Sequence, residues 1–144
     1  MNFLTIKAVK AKEMFAIDAQ EAGYRVSNCH NHTPGFEVTY EDDYKSWCPC
    51  DVFVKNSIIK RGEYILPERP ANLPDFVNRM YDEHQELYNK LYKLGLFIYT
   101  DKFKQLTPDR QHYLELQHKF MEGYLSVLTQ RIDIELNNHC GENH

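Results

Sequence analysis

The sequence predicts an α+β protein: a small N-terminal antiparallel sheet with short helices, followed by a long C-terminal antiparallel helical hairpin. Three observations predict it. Residues Gly35-Phe36-Glu37-Val38-Thr39-Tyr40-Glu41 alternate apolar and polar, turn at Asp42-Asp43, and return through Tyr44-Lys45-Ser46-Trp47. That is the pattern of a β-hairpin with Phe36, Val38 and Tyr40 inward. From residue 72 to 136 apolar residues instead recur at steps of three, four and seven, the period of a helix. A short, well-punctuated corner, Thr100 to Pro108, divides that stretch into two long helices. The organisation read from this is a sheet module over 1–71, a hairpin over 72–136 that is compact with it, and a disordered tail over 137–144.

The elements follow in order. Leu4, Ile6 and Ala8 alternate with Thr5 and Lys7, so residues 2–10 read as a strand with one buried face. Met14 to Ala22 reads as a short helix stopped by Gly23. Ser27 to Pro34 is polar and turn-rich and reads as a surface loop. After the hairpin, Pro49 opens a short helix from Cys50 to about Asn56. Residues 57–71, with Pro67 and Pro70, form a linker of no assigned shape.

The first long helix is predicted from Asn72, as N-cap, to about Tyr99, with Pro74 in its first turn and Asp75 at the positive end of the dipole. Phe76, Met80, Leu87, Leu91, Leu94 and Ile98 give its apolar face. Thr100 to Pro108 is the corner. Thr107 followed by Pro108 is a strong helix start, a hydroxyl cap and then proline at the first helical position. The second helix carries Leu114, Met121, Leu125, Leu128 and Ile132 on one face. A neighbouring stripe holds Tyr113, Gln117, Phe120, Tyr124, Val127, Arg131 and Ile134. Each helix is roughly 40 Å long at its rise per residue. An apolar band this wide calls for more than one neighbour, so homo-oligomers are predicted, from dimer to hexamer.

Composition narrows the function classes. The chain has 144 residues, 42% hydrophobic and 26% charged, the profile of an ordinary globular protein. A net charge of −4 argues against coating a nucleic-acid polymer, though not against one small phosphorylated ligand. No apolar run reaches membrane-spanning length, and the N-terminus does not read as a signal peptide, so cytoplasm is the predicted location and no membrane partner is predicted. Four cysteines in a chain this long do not make a disulfide scaffold.

Few residues point to catalysis. No glycine-rich nucleotide loop or nucleophile elbow is present. Asp42-Asp43 is explained by the turn, and Asp82, Glu83 and Glu86 by a solvated helix face. Cys29, His30, His32, Cys48 and Cys50 fall within one span that could offer zinc ligands, but the spacing fits no standard zinc site, so neither metal nor cofactor is predicted. His139, Cys140 and His144 belong to the tail. His84 falls where the first helix needs an apolar residue and reads as a packed histidine rather than a catalyst.

Polar groups inside the aromatic stripes are more informative. Arg131 and Gln117 share a stripe with Phe120 and Tyr124. Arg79 lies one turn from Phe76, and Phe97 lies at the corner end of the first helix. A guanidinium beside an aromatic face can hold a purine and its phosphate. An interhelical ion pair of Arg79 or Arg131 with Glu83 or Glu135 is the simpler account from the residues alone. The candidate ligand-binding set is Phe97, Arg79, Arg131, Tyr124 and Gln117, with no catalytic residue.

Two segments together resemble a known family. Gly35 to Pro49 resembles the GYxVxYxDGYxSWxP segment of small phage proteins, and Val52-Phe53 matches the apolar pair that follows it. Ile6-Lys7-Ala8-Val9-Lys10-Ala11 fits as well. The hairpin is similar to their C-terminal half at Phe76, Arg79, Leu94, Phe97, Phe103, Leu106, Gln117, Met121, Tyr124, Leu128 and Arg131. These proteins are the first-described Thoeris anti-defence family, whose hairpin is related to that of anti-CBASS sponges. The resemblance implies a non-catalytic protein of the host cytoplasm that sequesters immune second messengers: cyclised ADP-ribose isomers, and in some members cyclic di- or trinucleotides. The rival reading is an oligomeric adaptor that binds another protein through its hairpin. Two departures stand out. Asp43 occupies a position that is usually Gly, and Cys48 and Cys50 match no family site.

Overall fold

The computed structural model describes residues 1–26, 29–57 and 66–142, with side chains to residue 140. The chain forms two compact units, 1–58 and 59–144. The predicted linker over 57–71 lies largely outside the described residues, as do Ser27 and Asn28 of the predicted loop and the last two residues of the tail.

In the first unit three strands, β1 (Lys10–Glu13), β2 (Gly35–Thr39) and β3 (Lys45–Pro49), form an antiparallel sheet in the order β1-β2-β3. β2 and β3 pair Gly35 with Pro49, Glu37 with Trp47 and Thr39 with Lys45. The predicted hairpin is therefore present. Its turn takes a specific form: the Asp43 amide donates to the Tyr40 carbonyl at 3.0 Å, and Asp43 itself sits at φ 64°. A tight turn followed by one left-handed residue is a common three-residue hairpin loop, and it explains why glycine is usual there.

The tryptophan and glycine of the motif also gain a reason. The Trp47 ring lies against Gly35, so close that a Cβ at Gly35 would collide with it, and the indole Nε1–H donates to the Met14 carbonyl at 2.9 Å. Phe36 of β2 packs on Phe53, ring centroids 4.8 Å apart, which docks the helix α2 (Cys50–Asn56) on the sheet. The helix α1 (Ala16–Glu21) buries Ala16 and Ala19. It stops as predicted at Gly23, φ 93°, where the Tyr24 and Gly23 amides return to the Ala19 and Gln20 carbonyls.

The predicted strand over residues 2–10 is a correction. β1 begins only at Lys10, and Leu4 is 90% exposed. The alternation of Leu4, Ile6 and Ala8 lies upstream of the backbone that pairs with β2, whose register runs from Lys10 opposite Thr39 to Glu13 opposite Phe36. Period-two patterning without a partner strand does not make a strand.

The second unit is the hairpin. It consists of α3 (Asp75–Ile98), a one-turn helix α4 (Asp101–Lys104) in the corner, and α5 (Pro108–Glu142). α3 and α5 pack antiparallel around Leu73, Val77, Met80, Tyr81, Leu128, Ile132 and Leu136. Two details differ from the sequence reading. Asn72 does not cap α3. It takes a left-handed turn at φ 63°, and Pro74 holds the cap position without a side-chain hydrogen bond. Phe76 is not on the buried face, where Val77 and Tyr81 take its place, and it is 46% exposed. The corner is well capped. Thr100 Oγ1 accepts the Phe103 amide at 3.3 Å and donates to the Phe97 carbonyl at 2.6 Å. Phe103 is buried beneath it. Thr107 Oγ1 accepts the Arg110 amide, the predicted start of α5. α5 then continues as helix to Glu142, past Leu136, where the sequence reading closes the hairpin and begins a disordered tail.

Candidate functional site

Among the described residues, clefts open at two places along the hairpin. The first lies at the corner end, about 280 Å³, between Gly95 and Ile98 of α3, Tyr99 just past its end, and His112, His118 and Lys119 of α5. Gly95 faces His118 closely there: a Cβ at that position would stand 3.3 Å from His118 Nε2. His118 Nδ1 in turn lies 3.4 Å from Glu122 Oε1.

The second cleft, about 410 Å³, lies beside Tyr81, His84, Gln85 and Tyr88 of α3 and the segment that precedes the helix. Arg69 of that segment lays its guanidinium over the Tyr81 ring, 4.9 Å from the centroid, and pairs with Asp82 at 2.8 Å. His84 is buried, and its Nε2 meets Thr129 Oγ1 at 3.0 Å. The Thr129 hydroxyl donates its one hydrogen to the Leu125 carbonyl at 2.8 Å. It must therefore accept from His84, which places the imidazole proton on Nε2. Burial pushes the His84 pKa below its ordinary value, consistent with a neutral ring. Burial likewise raises the Tyr81 phenol, with Arg69 opposing and Asp133 adding to the rise. The Tyr81 hydroxyl is fully buried and has no hydrogen-bond partner among the described residues.

None of the five residues predicted to bind ligand lines either cleft. Phe97 packs its edge on Phe103, centroids 6.0 Å apart, as part of the corner. Gln117 donates weakly to Met121 Sδ at 3.7 Å. Arg79, Arg131 and Tyr124 are exposed. Neither arginine makes an ion pair among the described residues, so the Glu83 or Glu135 bridge that the residues alone favour is not formed. Arg79 and Phe97 are separated along α3 by about 27 Å at the helical rise. The His84–Thr129 contact sets Arg131 near the height of Arg79, and the Gly95–His118 approach sets Gln117 near that of Phe97. The two arginines thus share the open end of the hairpin, Phe97 and Gln117 share the corner end, and Tyr124 lies between. One chain does not bring all five together.

The sequence reading missed Arg69, Tyr81, Gln85 and Tyr88. A signal existed for the tyrosines: Tyr81, Tyr88 and Tyr92 recur at helical spacing, and Tyr88 and Tyr92 are near-parallel with centroids 6.5 Å apart. No periodic signal marks Arg69, which only the turn before α3 delivers. Cys29, His30, His32, Cys48 and Cys50 are the residues weighed above as zinc ligands; among the described residues no three His, Cys, Asp or Glu side chains converge on a metal-sized centre. No helix among the described residues is long and apolar enough to cross a membrane.

Residues 74–134 match the model of the Sequestin family, so the match falls on the hairpin itself. It agrees with the resemblance to the phage Thoeris anti-defence family carried by the sequence. No curated protein and no solved structure matches the chain.

Proposed function

We propose that the chain is a non-catalytic sponge. It binds a small nucleotide-derived second messenger, a cyclised ADP-ribose isomer or a cyclic di- or trinucleotide, and withholds it from a bacterial anti-phage defence in the host cytoplasm. One observation carries the reading: the Sequestin match falls on the hairpin and takes in its corner-end cleft together with Arg79 and Arg131, which make no ion pair among the described residues. Sequestration needs flat faces for a base, cations for phosphates and no turnover. Arg79 and Arg131 are offered as phosphate partners, and Phe97, Tyr124 and Gln117 as packing and polar contacts. Because these lie at opposite ends of one hairpin, a ligand that touches both groups requires more than one copy. The exposed stripe of α5, including Tyr113, Phe120, Tyr124, Val127 and Ile134, supplies a surface for that assembly.

The same exposed stripe favours the rival reading, an adaptor that docks another protein. The experiment that separates them incubates the chain with cyclised ADP-ribose isomers and cyclic di- and trinucleotides, removes free ligand, denatures the protein and identifies what is released. A sponge returns one compound intact and shows a ligand-dependent rise in melting temperature. A hydrolase releases a converted product. An adaptor releases nothing and shows no shift with any compound.

A further inference from the structure

Residues 2–9 carry the alternation of a strand, yet β2 gives them nothing to pair with. β2 ends at Thr39, opposite Lys10, and the chain then turns through Tyr40 to Tyr44. Among the described residues, no backbone hydrogen bond outside the sheet ladders involves residues 2–8. Phe3 is 78% exposed and Leu4 90%. The segment nevertheless keeps to the line of β1. Lys7 Nζ stands 5.8 Å from the centroid of the Tyr40 ring, and Tyr40 follows the last residue of β2.

β1 is also an edge: among the described strands it pairs on one side only, with β2. An open edge is a template for another strand. The residues say which strand fits. Directly opposite residues of an antiparallel pair share a face and touch. With a two-fold axis through Ile6, Ile6 meets its counterpart in a second copy, Leu4 meets Ala8, Phe3 meets Val9, and Thr5 meets Lys7. Large apolar residues then oppose smaller ones on both faces, and no charge opposes a like charge. Neighbouring axes fit worse. One through Lys7 sets two ammonium groups against each other, one through Thr5 opposes Phe3 to Lys7, and one between Thr5 and Ile6 opposes Leu4 to Lys7.

We propose that residues 2–10 pair antiparallel with the same residues of a second copy, across a two-fold axis at Ile6. The shared ribbon joins two three-stranded sheets. A lone two-stranded ribbon is marginal in water. Here each strand runs on into Lys10–Glu13, which β2 already holds, so part of the ordering cost is met before the copies meet. The contact is isologous and occupies the open edge of both copies, which closes the assembly at two. This interface belongs to the first unit and is distinct from the exposed stripe of α5. It stands whether or not the chain sequesters a ligand.

The test uses the full chain. Sedimentation over a concentration series reads self-association, and amide hydrogen exchange followed by NMR reads the strand. The associated parent should show slowed exchange at alternate residues of 2–10, the amides aimed at the second copy. Phe120→Glu charges the α5 stripe and removes association through it; a dimer with the same slowed amides should remain. In that background Ile6→Lys places two ammonium groups on the axis. It is expected to weaken dimerisation about tenfold or more and to abolish the slowing, whereas Ile6→Val keeps both. The Trp47 near-ultraviolet signal checks that the sheet unit of each variant is intact. Fast exchange throughout 2–9 at every concentration overturns the proposal and leaves the edge to a strand of another protein. Slowed exchange in a sample that sediments as a monomer assigns the partner strand to the same chain and overturns it too. So does a Phe120→Glu, Ile6→Lys chain that dimerises as tightly as Phe120→Glu alone.

Discussion

Replacing Thr129 by Val tests the polar link that ties α3 to α5. The side chains have nearly the same shape, so the core around Leu125, Leu128 and Ile132, each 0% exposed, keeps its packing. What is lost is the acceptor for His84 Nε2–H, at 3.0 Å in a buried site. An unsatisfied buried donor costs about 1–3 kcal/mol. Moving the ring proton to Nδ1 trims this toward the lower figure, so about 1–2 kcal/mol is expected. Urea unfolding at fixed protein concentration reads it as a lower midpoint with an unchanged slope. At about 2–4 °C per kcal/mol for a chain near this length, the melting temperature falls by roughly 2–8 °C. The same pair sets a pH dependence. His84 is harder to protonate folded than unfolded, so below its unfolded pKa of about 6.5 the unfolded state binds more protons. Stability is therefore full above that pH, falls as pH drops below it, and levels off once the folded pKa is passed. His84→Gln keeps a donor toward Thr129 but cannot titrate, and its stability profile should be flatter than the parent's between pH 6.5 and the acid limit. A Thr129→Val chain as stable as the parent, together with a His84→Gln profile that superimposes on the parent's, would refute the reasoning.

Four further outcomes are expected. Gly35→Ala should disrupt the sheet unit, because its Cβ meets the Trp47 ring and comes within 2.7 Å of the Cys48 carbonyl; loss of the Trp47 near-ultraviolet signal reads it. Asp43→Gly should leave the first unit unchanged or slightly more stable, whereas Asp43→Val should destabilise it by about 1–2 kcal/mol, the penalty of a left-handed backbone for an ordinary residue; thermal melting of both variants checks the pair. Arg79→Ala and Arg131→Ala should each weaken ligand binding roughly ten- to a hundredfold if they contact phosphate, with Phe97→Ala weakening it too; calorimetry showing all three equal to the parent would place the pocket elsewhere. Elemental analysis should find no stoichiometric zinc, and one zinc per chain lost on Cys48→Ser would contradict that.

The sequence by itself determined most features that depend on residues close together in the chain, the cap of α3 at Asn72 excepted. Thr107-Pro108 starts α5, Gly23 stops α1, Asp42-Asp43 turns the hairpin, and Pro49 opens α2. In each case the physical cause is local: a cap, a left-handed residue, a fixed φ. The three- and four-residue steps of Leu125, Leu128 and Ile132 likewise identify α5's buried face, because helical period and burial face are one property of the pattern. Where a partner from elsewhere decides, the pattern misleads. Leu4, Ile6 and Ala8 alternate, yet the strand forms downstream, where β2 supplies the hydrogen bonds. Phe76 fits the stripe, yet Val77 and Tyr81 face α5, because the pairing of His84 with Thr129 fixes the rotation of α3. The cleft beside Tyr81 is the clearest case. Arg69 lies before the helix, and its charge is cancelled by Asp82 only once the chain has turned at Asn72. Burial and pairing are set by the distances between groups in the folded chain, and these fix both the Arg69–Asp82 pair and the Tyr81 hydroxyl, unpartnered among the described residues. The order of residues specifies neither.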